Sequence, residues 1–478
     1  MSDSSIPINL CFINEKSYLE VIMVENREDI ETQNLEEFRN LIAEKKYTAL
    51  REKAKDMNDS DLAYVMDNME DEDMLTMFRL FPKELAADVF SQLTLESQQY
   101  IITSLSEKEA GSIIDNLFAD DATDLLEEMP ANVVKKILSN AKPETRKDIN
   151  HLLQYSDDSA GSVMTTEFMD LKEKMTVKEA LQRIRTIGID SETVNTCYVL
   201  DSKRLLLGTV ALRALVVHHE NEVLGDFMNE NVIYCNTSMD EEDVIQLFKK
   251  YDLTALPVVD NENRMVGIIT VDDVMDIMEK ETTEDLDKMA AIIPGDNKPY
   301  LKSSAIDTWK KRIPWLMVLM VSATFTGRII TQFEDALSKY VILSAYIPML
   351  MDTGGNSGSQ SSTEIVRSLS LGQIHFTDFF KVVWKEMKVA LLAGLCLAGV
   401  AFLKCIILDS VSVTIAIVIA ITIVCDVFFA KVVAASLTLI VSKMNLDPAV
   451  VASPLLTTII DALALLIYFS IATTLLGI

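Results

Sequence analysis

The pattern of apolar and polar positions changes character twice along the chain. From Asn34 to Tyr155, apolar residues recur at helical spacing in short runs such as Leu62–Met66, Leu85–Phe90, Ile113–Leu117 and Val133–Leu138. This spacing predicts a string of short amphipathic helices. Ser106-Glu107-Lys108-Glu109 has the spacing of a capping box, and Pro82, Pro130 and Pro143 punctuate the runs. The loose repetition predicts a helical-repeat superhelix. From Gly161 an internal repeat appears, in which Val163-Met164 through Leu215 aligns with Phe227-Met228 through Val274. Each copy has a helix-like run (Val177–Ile187; Asp243–Tyr251) followed by two β-rich strands around a turn. Asp201 then matches Asp260, and Gly208 matches Gly267.

The last third is apolar enough to cross a bilayer. Five spans are expected: Ile313–Ile330, Leu337–Met351 running on into polar residues, Val389–Leu408, Val411–Val441 and Ala449–Ile478. The second is unusual, because Tyr346–Met351 continues into Asp352-Thr353-Gly354-Gly355-Asn356-Ser357-Gly358-Ser359-Gln360. Polar, glycine-rich backbone at membrane depth is tolerable only inside protein or beside water, so this stretch is expected to wall an aqueous path. Bases cluster before the first span (Lys310, Lys311, Arg312) and between the second and third (Arg367, Lys381, Lys385, Lys388). The positive-inside rule puts both clusters, and the whole front half, in the cytoplasm, and an odd span count puts the C-terminus outside.

Charge sharpens this division. The formal net charge is -29, yet from Leu301 onward thirteen bases face eleven acids, so -31 falls on the first 300 residues. An acidic surface of this kind argues against nucleic acid, whose phosphates need basic partners, and can gather cations. The six cysteines show no C-x-x-C spacing, and three lie in hydrophobic runs, so neither a disulfide framework nor a zinc site is indicated. The N-terminus lacks a basic segment followed by an apolar core; Glu15 and Lys16 interrupt its greasy stretch, and a signal peptide is not expected. No Ser-His-Asp or Cys-His arrangement suggests an enzyme.

The candidate chemistry is carboxylate chemistry. Asp461 stands in the middle of the last span with no base between Asp447 and Ile478, roughly 21 Å from Asp447 if the whole stretch is helical. A lone intramembrane carboxylate is expensive and by default marks an ion pathway; the alternative is an acid that sits protonated or hydrogen-bonded to Thr457 or Thr458. Asp426 is a second pathway acid, and Lys431, five residues on, is a poor partner for it on one helix face. In the front half, Asp120 and Asp124 share a helix face, where like charges repel unless a cation lies between them; the equal alternative is that they are helix-start acids favoured by the dipole. Asp240, Glu241, Glu242 and Asp252, with Asp272, Asp273, Asp276, Glu279, Glu281, Glu284, Asp285 and Asp287, are dense enough to need counter-ions. A hard divalent cation such as Mg²⁺ suits them.

Leu256-Pro257-Val258-Val259-Asp260 and its counterpart from Cys197 make the repeat resemble a tandem pair of CBS domains, modules that commonly bind adenosine nucleotides or metal ions. Thr270-x-x-Asp273 matches the pattern whose acid can hold a ribose, whereas the first copy has Ala211 and Ala214 there. Taken in order, the chain resembles the MgtE family of magnesium channels. The stretches Thr353–Ser361, Lys385-Glu386 and Leu446–Ala449, with Pro454, Thr457 and Asp461, carry the likeness. The resemblance implies a multidomain fold. An N-terminal extension (1–33) precedes a helical superhelix (34–155), then an α/β CBS pair (156–222 and 223–281). A connecting helix and linker (282–308) lead to an α-helical bundle of five spans (309–478). It implies a homodimeric Mg²⁺ channel, not an enzyme, in the cell membrane. The ion is implied at Asp461, Asn356, Thr457 and Ala449. Regulatory Mg²⁺, which closes the pore when abundant, is implied at Asp120, Asp124, Asp240, Glu242, Asp252, Asp273, Asp276, Glu281, Glu284 and Asp285. ATP or another adenine nucleotide is the further ligand implied, at Thr270 and Asp273. Ala434, Thr438 and Ala464 replace a glycine, a proline and a glycine frequent in the family, and Glu364 replaces a usually apolar residue. Two other readings remain: a CBS-regulated transporter of another ion, such as Co²⁺, and a membrane sensor that transports nothing.

Overall fold

A computed structural model describes residues 30, 32–295, 300, 303–444, 446–450 and 454–477. The expectations about a signal peptide and the extension up to residue 29, and about Cys11, lie outside them. The chain divides into two compact units. One holds the described residues up to Val244 together with Asp252–Asp273; the other holds Ile245–Tyr251 and the described residues from Val274 on.

The first unit begins with short helices, from α1 (residues 32–43) through α2 (Tyr47–Lys55), α3 (Asp59–Asp67), α4 (Asp71–Leu80), α5 (Lys83–Ser91), α6 (Leu95–Ser104), α7 (Glu107–Ile114), α8 (Ala119–Glu127) and α9 (Ala131–Asn140) to α10 (Pro143–Leu152). The repetition has a visible cause. Each helix presents one apolar stripe, too narrow to be buried by its own turn, and helices two apart stack (α3 on α5, α4 on α6, α5 on α7, α6 on α8, α7 on α9). Phe38, Leu50, Leu62, Met66, Phe90, Ile101, Ile114 and Leu125 form the continuous core. The predicted capping box is present: the Ser106 hydroxyl accepts from the Glu109 N–H, and the Glu109 carboxylate accepts from the Ser106 N–H.

The repeat folds as two matching three-stranded sheets. β1 (Phe168–Leu171) pairs parallel with β2 (Thr193–Leu200), which pairs antiparallel with β3 (Leu206–Ala211). β4 (Cys235–Asn236), β5 (Ala255–Val259) and β6 (Met265–Thr270) repeat the scheme. The helices α11 (Val177–Ile187), α12 (Leu212–Val217) and α13 (Glu241–Tyr251) intervene. The matched aspartates have the same task. Asp201 Oδ1 accepts the N–H groups of Lys203 and Leu205, and Asp260 Oδ1 those of Glu262 and Arg264, which closes each hairpin turn. Gly267 is required by a close approach, since a Cβ there would stand 2.5 Å from the Thr165 carbonyl. Tyr198, Leu200, Met265 and Ile268 join the two copies in one core.

Helix α14 (Val271–Met289) leaves β6 directly. The connecting helix expected at 282–293 is therefore the second half of one continuous helix that begins inside the repeat and stops four residues earlier. Among the described residues of the bundle that follows, four helices are long and apolar enough to cross a membrane: α15 (Ala305–Gln332), a helix within Phe376–Ile407, α19 (Val413–Lys443) and α20 (Pro454–Leu476). Short α16 (Glu334–Lys339) leads to α17 (Ile347–Ser370), and α18 (Phe379–Ile407) is the apolar helix just mentioned.

The expected second span differs from expectation in place and kind. It runs Ile347–Ser370 rather than Leu337–Met351, as an uninterrupted helix of 24 residues, long enough at about 36 Å to cross a bilayer. It falls outside the four apolar helices because its composition is polar. Its glycines and serines are spent on packing: Gly354, Gly355, Ser357, Gly358, Ser361 and Ser362 are buried against α19 and α20. The last helix also starts later than the hydropathy suggested, at Pro454, so Asp461 lies about 10 Å from its start and not on a helix shared with Asp447.

Candidate functional site

In the membrane unit α17 is two-faced. Its buried stripe abuts α19 and α20, and Asp352, Asn356, Gln360, Thr363, Glu364 and Arg367 form an exposed polar stripe at spacings of three and four. A groove of about 1040 Å³ lies along it, lined by Asn356, Ser359, Gln360, Thr363, Glu364 and Arg367 among others. On the flank of this helix stand Thr457 and Asp461 of α20. A Cβ on Gly355 would lie 2.8 Å from Thr457 Cγ2 and 3.6 Å from Asp461 Oδ1, and Ser359 Oγ is 3.4 Å from Thr457 Oγ1. Asp352 is in electrostatic range of Asp461. Neither threonine named as a hydrogen-bond partner for Asp461 bonds to it. The Thr458 hydroxyl donates to its own helix at Pro454 O, Thr457 is engaged with Ser359, and among the described residues no donor reaches the Asp461 carboxylate.

Ala449 is not brought to this place. It is fully buried, packs with Val366 under Met289, and donates its N–H to Asp447 Oδ1. Val366 lies eleven residues along α17 from Gly355, about 16 Å by helical rise. Lys431, as its spacing from Asp426 suggested, turns to other partners: Ser361 Oγ at 2.9 Å, the Ser357 carbonyl at 3.2 Å and Glu386 Oε2 at 3.9 Å. Ser361 also donates to Glu386 at 2.5 Å, so one buried polar knot ties α17, α18 and α19 together. Lys385-Glu386 drew notice only as part of a motif. Its pairing with Lys431 could not be read from the sequence, because 45 residues separate the partners.

The membrane unit also carries the second half of α14. Lys288 bonds to Glu284, one turn back, and to Asp447 Oδ2 at 2.6 Å. Burial works against its charge, but the two carboxylates outweigh burial and raise its pKa. Asp285, half-buried beside them, is pushed up by burial and then by the Asp447 charge. Asp276 is exposed, and Glu281 is partly buried.

In the first unit the structure draws together acids that lie far apart in sequence. Asp120, at the start of α8, is 8 % exposed, and its carboxyl is pushed well up by burial, then by the charges of Asp273 and Asp121, with Glu192 adding to them. Glu192, between α11 and β2, is pushed up to about 8 by burial and then by Asp273, Asp272, Asp121 and Glu167. Glu192 was missed by sequence reasoning, because an acid in a short turn carries no periodic signal. Thr270 donates its hydroxyl to Asp273 and Asp272, both at 2.5 Å, so the two residues matched to a ribose site are bonded to each other. Asp240 is committed to capping, accepting the Glu242 N–H at 2.9 Å. Asp252 sits at a positive φ of 50° before β5, and with Glu242 it is exposed. Asp124 lies one turn beyond Asp120 on α8.

Among the described residues no three acids close into coordination geometry. What the structure offers Mg²⁺ in this unit is a set of neighbouring carboxyls, pushed up by burial and then by one another's charge, which an ion that keeps its waters can approach.

Residues 347–471 match the MgtE family described as "Divalent cation transporter", 57–158 the MgtE intracellular N domain, and 224–280 the CBS domain. The Magnesium transporter MgtE of Thermus thermophilus is 37 % identical over 432 residues, 90 % of this chain and 95 % of that protein. A solved structure described as the soluble part of a magnesium transporter covers 52 % of this chain and 99 % of its own, at 26 % identity and a TM-score of 0.50. Another, the cytosolic domain of the Mg²⁺ channel MgtE in complex with ATP, covers 50 % of this chain and 98 % of its own at 36 % identity, with a TM-score of 0.48.

Proposed function

Since the chain belongs to the MgtE family of membrane transporters, we propose that it conducts Mg²⁺ along the polar face of α17 past Asp461, and that cytosolic Mg²⁺ closes this path. The observation that carries the proposal is the exposed stripe from Asp352 to Arg367, with the Asp461 carboxylate beside it, on a helix inside an apolar bundle. Such a stripe is costly against lipid. A second copy of the chain facing it would turn one groove into an aqueous channel and one Asp461 into a facing pair. Two carboxylates attract a divalent ion without stripping the water shell that Mg²⁺ surrenders reluctantly. The ion path then comprises Asp461, Asn356 and Thr457, while Ala449 holds the Asp447 turn instead. Basic residues at the start of α15 (Lys310, Lys311, Arg312) and from the end of α17 into α18 (Arg367, Lys381, Lys385, Lys388) orient the first unit to the cytoplasm and the C-terminus outward.

Closure follows from repulsion. When Mg²⁺ is scarce, the acids around Asp120, Glu192 and Asp273, and those of α14 from Asp276 through Glu281 to Asp285, repel one another. When it is abundant, ions between them favour a compact arrangement in which α14 holds the path shut. Mg²⁺ must bind that arrangement more tightly for this to work. Asp273 cannot hold both such an ion and a ribose while bonded to Thr270, so an adenine nucleotide at this site would compete with Mg²⁺.

The test is Mg²⁺ influx into proteoliposomes with low Mg²⁺ on the cytoplasmic side. Wild-type flux that falls about 100-fold or more in Asp461→Ala is expected, as for loss of an electrostatic stabiliser in a low-dielectric site. Equal flux in both would move the path away from Asp461. No flux in a folded wild type would favour a sensor, and Co²⁺ flux without Mg²⁺ flux would favour another cargo.

A further inference from the structure

Of the acids within the bundle, Asp426 is the one the transport reading leaves without a task. It lies in α19, 1 % exposed, and its Oδ2 is buried with no hydrogen-bond partner. The buried cation on the same helix is occupied elsewhere, since Lys431 is held by Ser357, Ser361 and Glu386. The carboxylate lies flat on the backbone of α17: a Cβ at Gly354 would be 2.6 Å from both of its oxygens. On the side that faces α17, this leaves no room for an ion between the carboxylate and the backbone. The group nevertheless lies close to the path. Gly355, the next residue of α17, abuts Thr457 and Asp461, and Asp426 and Asp461 are in electrostatic range of each other.

A buried negative charge is tolerable when a cation is near enough to compensate it, and low-dielectric surroundings carry its field further than water would. We propose that Asp426 is a positioning residue for the transported ion: a fixed charge sealed behind Gly354 that raises divalent-cation occupancy at Asp461 without touching the ion. This inference rests on the reading of Asp461 as the path acid. A charge that acts at a distance has a distinctive signature. It changes affinity according to the valence of the ion and not its coordination preferences, because it meets only the field of the hydrated ion. Gly354 is part of the device, because any side chain there would push the carboxylate out of the seam.

The experiment compares wild type, Asp426→Asn, Gly354→Ala and Asp461→Ala in proteoliposomes, reading KM and maximal flux for Mg²⁺ and, separately, Co²⁺. Asp426→Asn, which keeps shape and removes charge, should raise KM by about five- to tenfold for both ions by the same factor, with a smaller change in maximal flux. Gly354→Ala should shift KM in the same direction, and Asp426→Glu should recover part of the loss. An unchanged KM in folded Asp426→Asn would overturn the proposal, and so would a KM change that differs between Mg²⁺ and Co²⁺, which indicates distortion of the ion's contacts. If Asp426→Asn fails to fold, Gly354→Ala decides alone on the same two readouts. Wild-type flux insensitive to Asp461→Ala is the separate outcome that removes the reading underneath.

Discussion

Carboxylates serve two regions of this molecule under opposite physical conditions. In the first unit Asp120, Glu192 and Asp273 come from three separate segments, and burial, then the charge of Asp273, pushes up the carboxyls of Asp120 and Glu192. In the bundle three acids are set by helix packing: Glu386 by Lys431 and Ser361, Asp426 by the gap at Gly354, Asp461 beside Gly355. On the function proposed above, the same group is a responsive element where it is crowded and a fixed element where it is sealed. What separates the two is the freedom of the surroundings to rearrange when the charge is compensated.

The largest effect should come from breaking a fixed element. Lys431→Met removes the counter-charge of Glu386, which is 6 % exposed, and leaves a buried carboxylate unpaired. A loss of about 3–5 kcal/mol is expected, visible as a lowered thermal midpoint of the detergent-solubilised protein. Lys431→Met with Glu386→Gln should recover part of it, since no charge is then stranded. A single variant as stable as wild type would mean that Glu386 is already neutral.

A responsive element should behave in the reverse way. Glu192→Gln relieves repulsion, so in the absence of Mg²⁺ it should be neutral or stabilising, by up to about 1 kcal/mol for a partly buried acid of this kind. The stabilisation of wild type by added Mg²⁺, about 2.7 kcal/mol at a hundredfold excess over Kd, should shrink in the variant. Thermal melts of the full chain with and without Mg²⁺ would show both. An undiminished Mg²⁺ response would remove Glu192 from the regulatory cluster.

The comparison also separates what a sequence can show from what it cannot. Local chemistry was legible. The Ser106–Glu109 box, the helix at Val177–Ile187 and the paired turns at Asp201 and Asp260 each depend on neighbours within a few residues. The polar nature of the second span was visible too. Its course was not, because hydropathy sees glycine and serine as a break, whereas three packed helices make them a close contact at Gly354, Gly355 and Gly358. Pairings across the fold, Lys431 with Glu386 and Glu192 with Asp273, have no signature in spacing. Such acids can be listed from sequence, but which of them meet is decided by tertiary structure.

Lys288 tests the boundary between the two behaviours. It bridges Glu284 on α14 and Asp447 at the foot of the last helix, as a divalent ion could, but it is tethered and carries one charge. Its side chain is 23 % exposed and that of Asp447 31 %, so the pair is partly desolvated and should contribute only about 1 kcal/mol to stability. Lys288→Met should therefore lower the thermal midpoint by a few degrees at most. Its larger consequence concerns Mg²⁺. With the tethered cation gone, Glu284, Asp285 and Asp447 repel more strongly, so this corner becomes more dependent on added Mg²⁺, and the Mg²⁺-induced rise in thermal midpoint should exceed that of wild type. A fixed pair predicts the opposite: a small loss of stability and an unchanged Mg²⁺ response. Melting the variant across a Mg²⁺ series distinguishes the two, and the result would say whether α14 belongs with the crowded acids of the first unit or the sealed ones of the bundle.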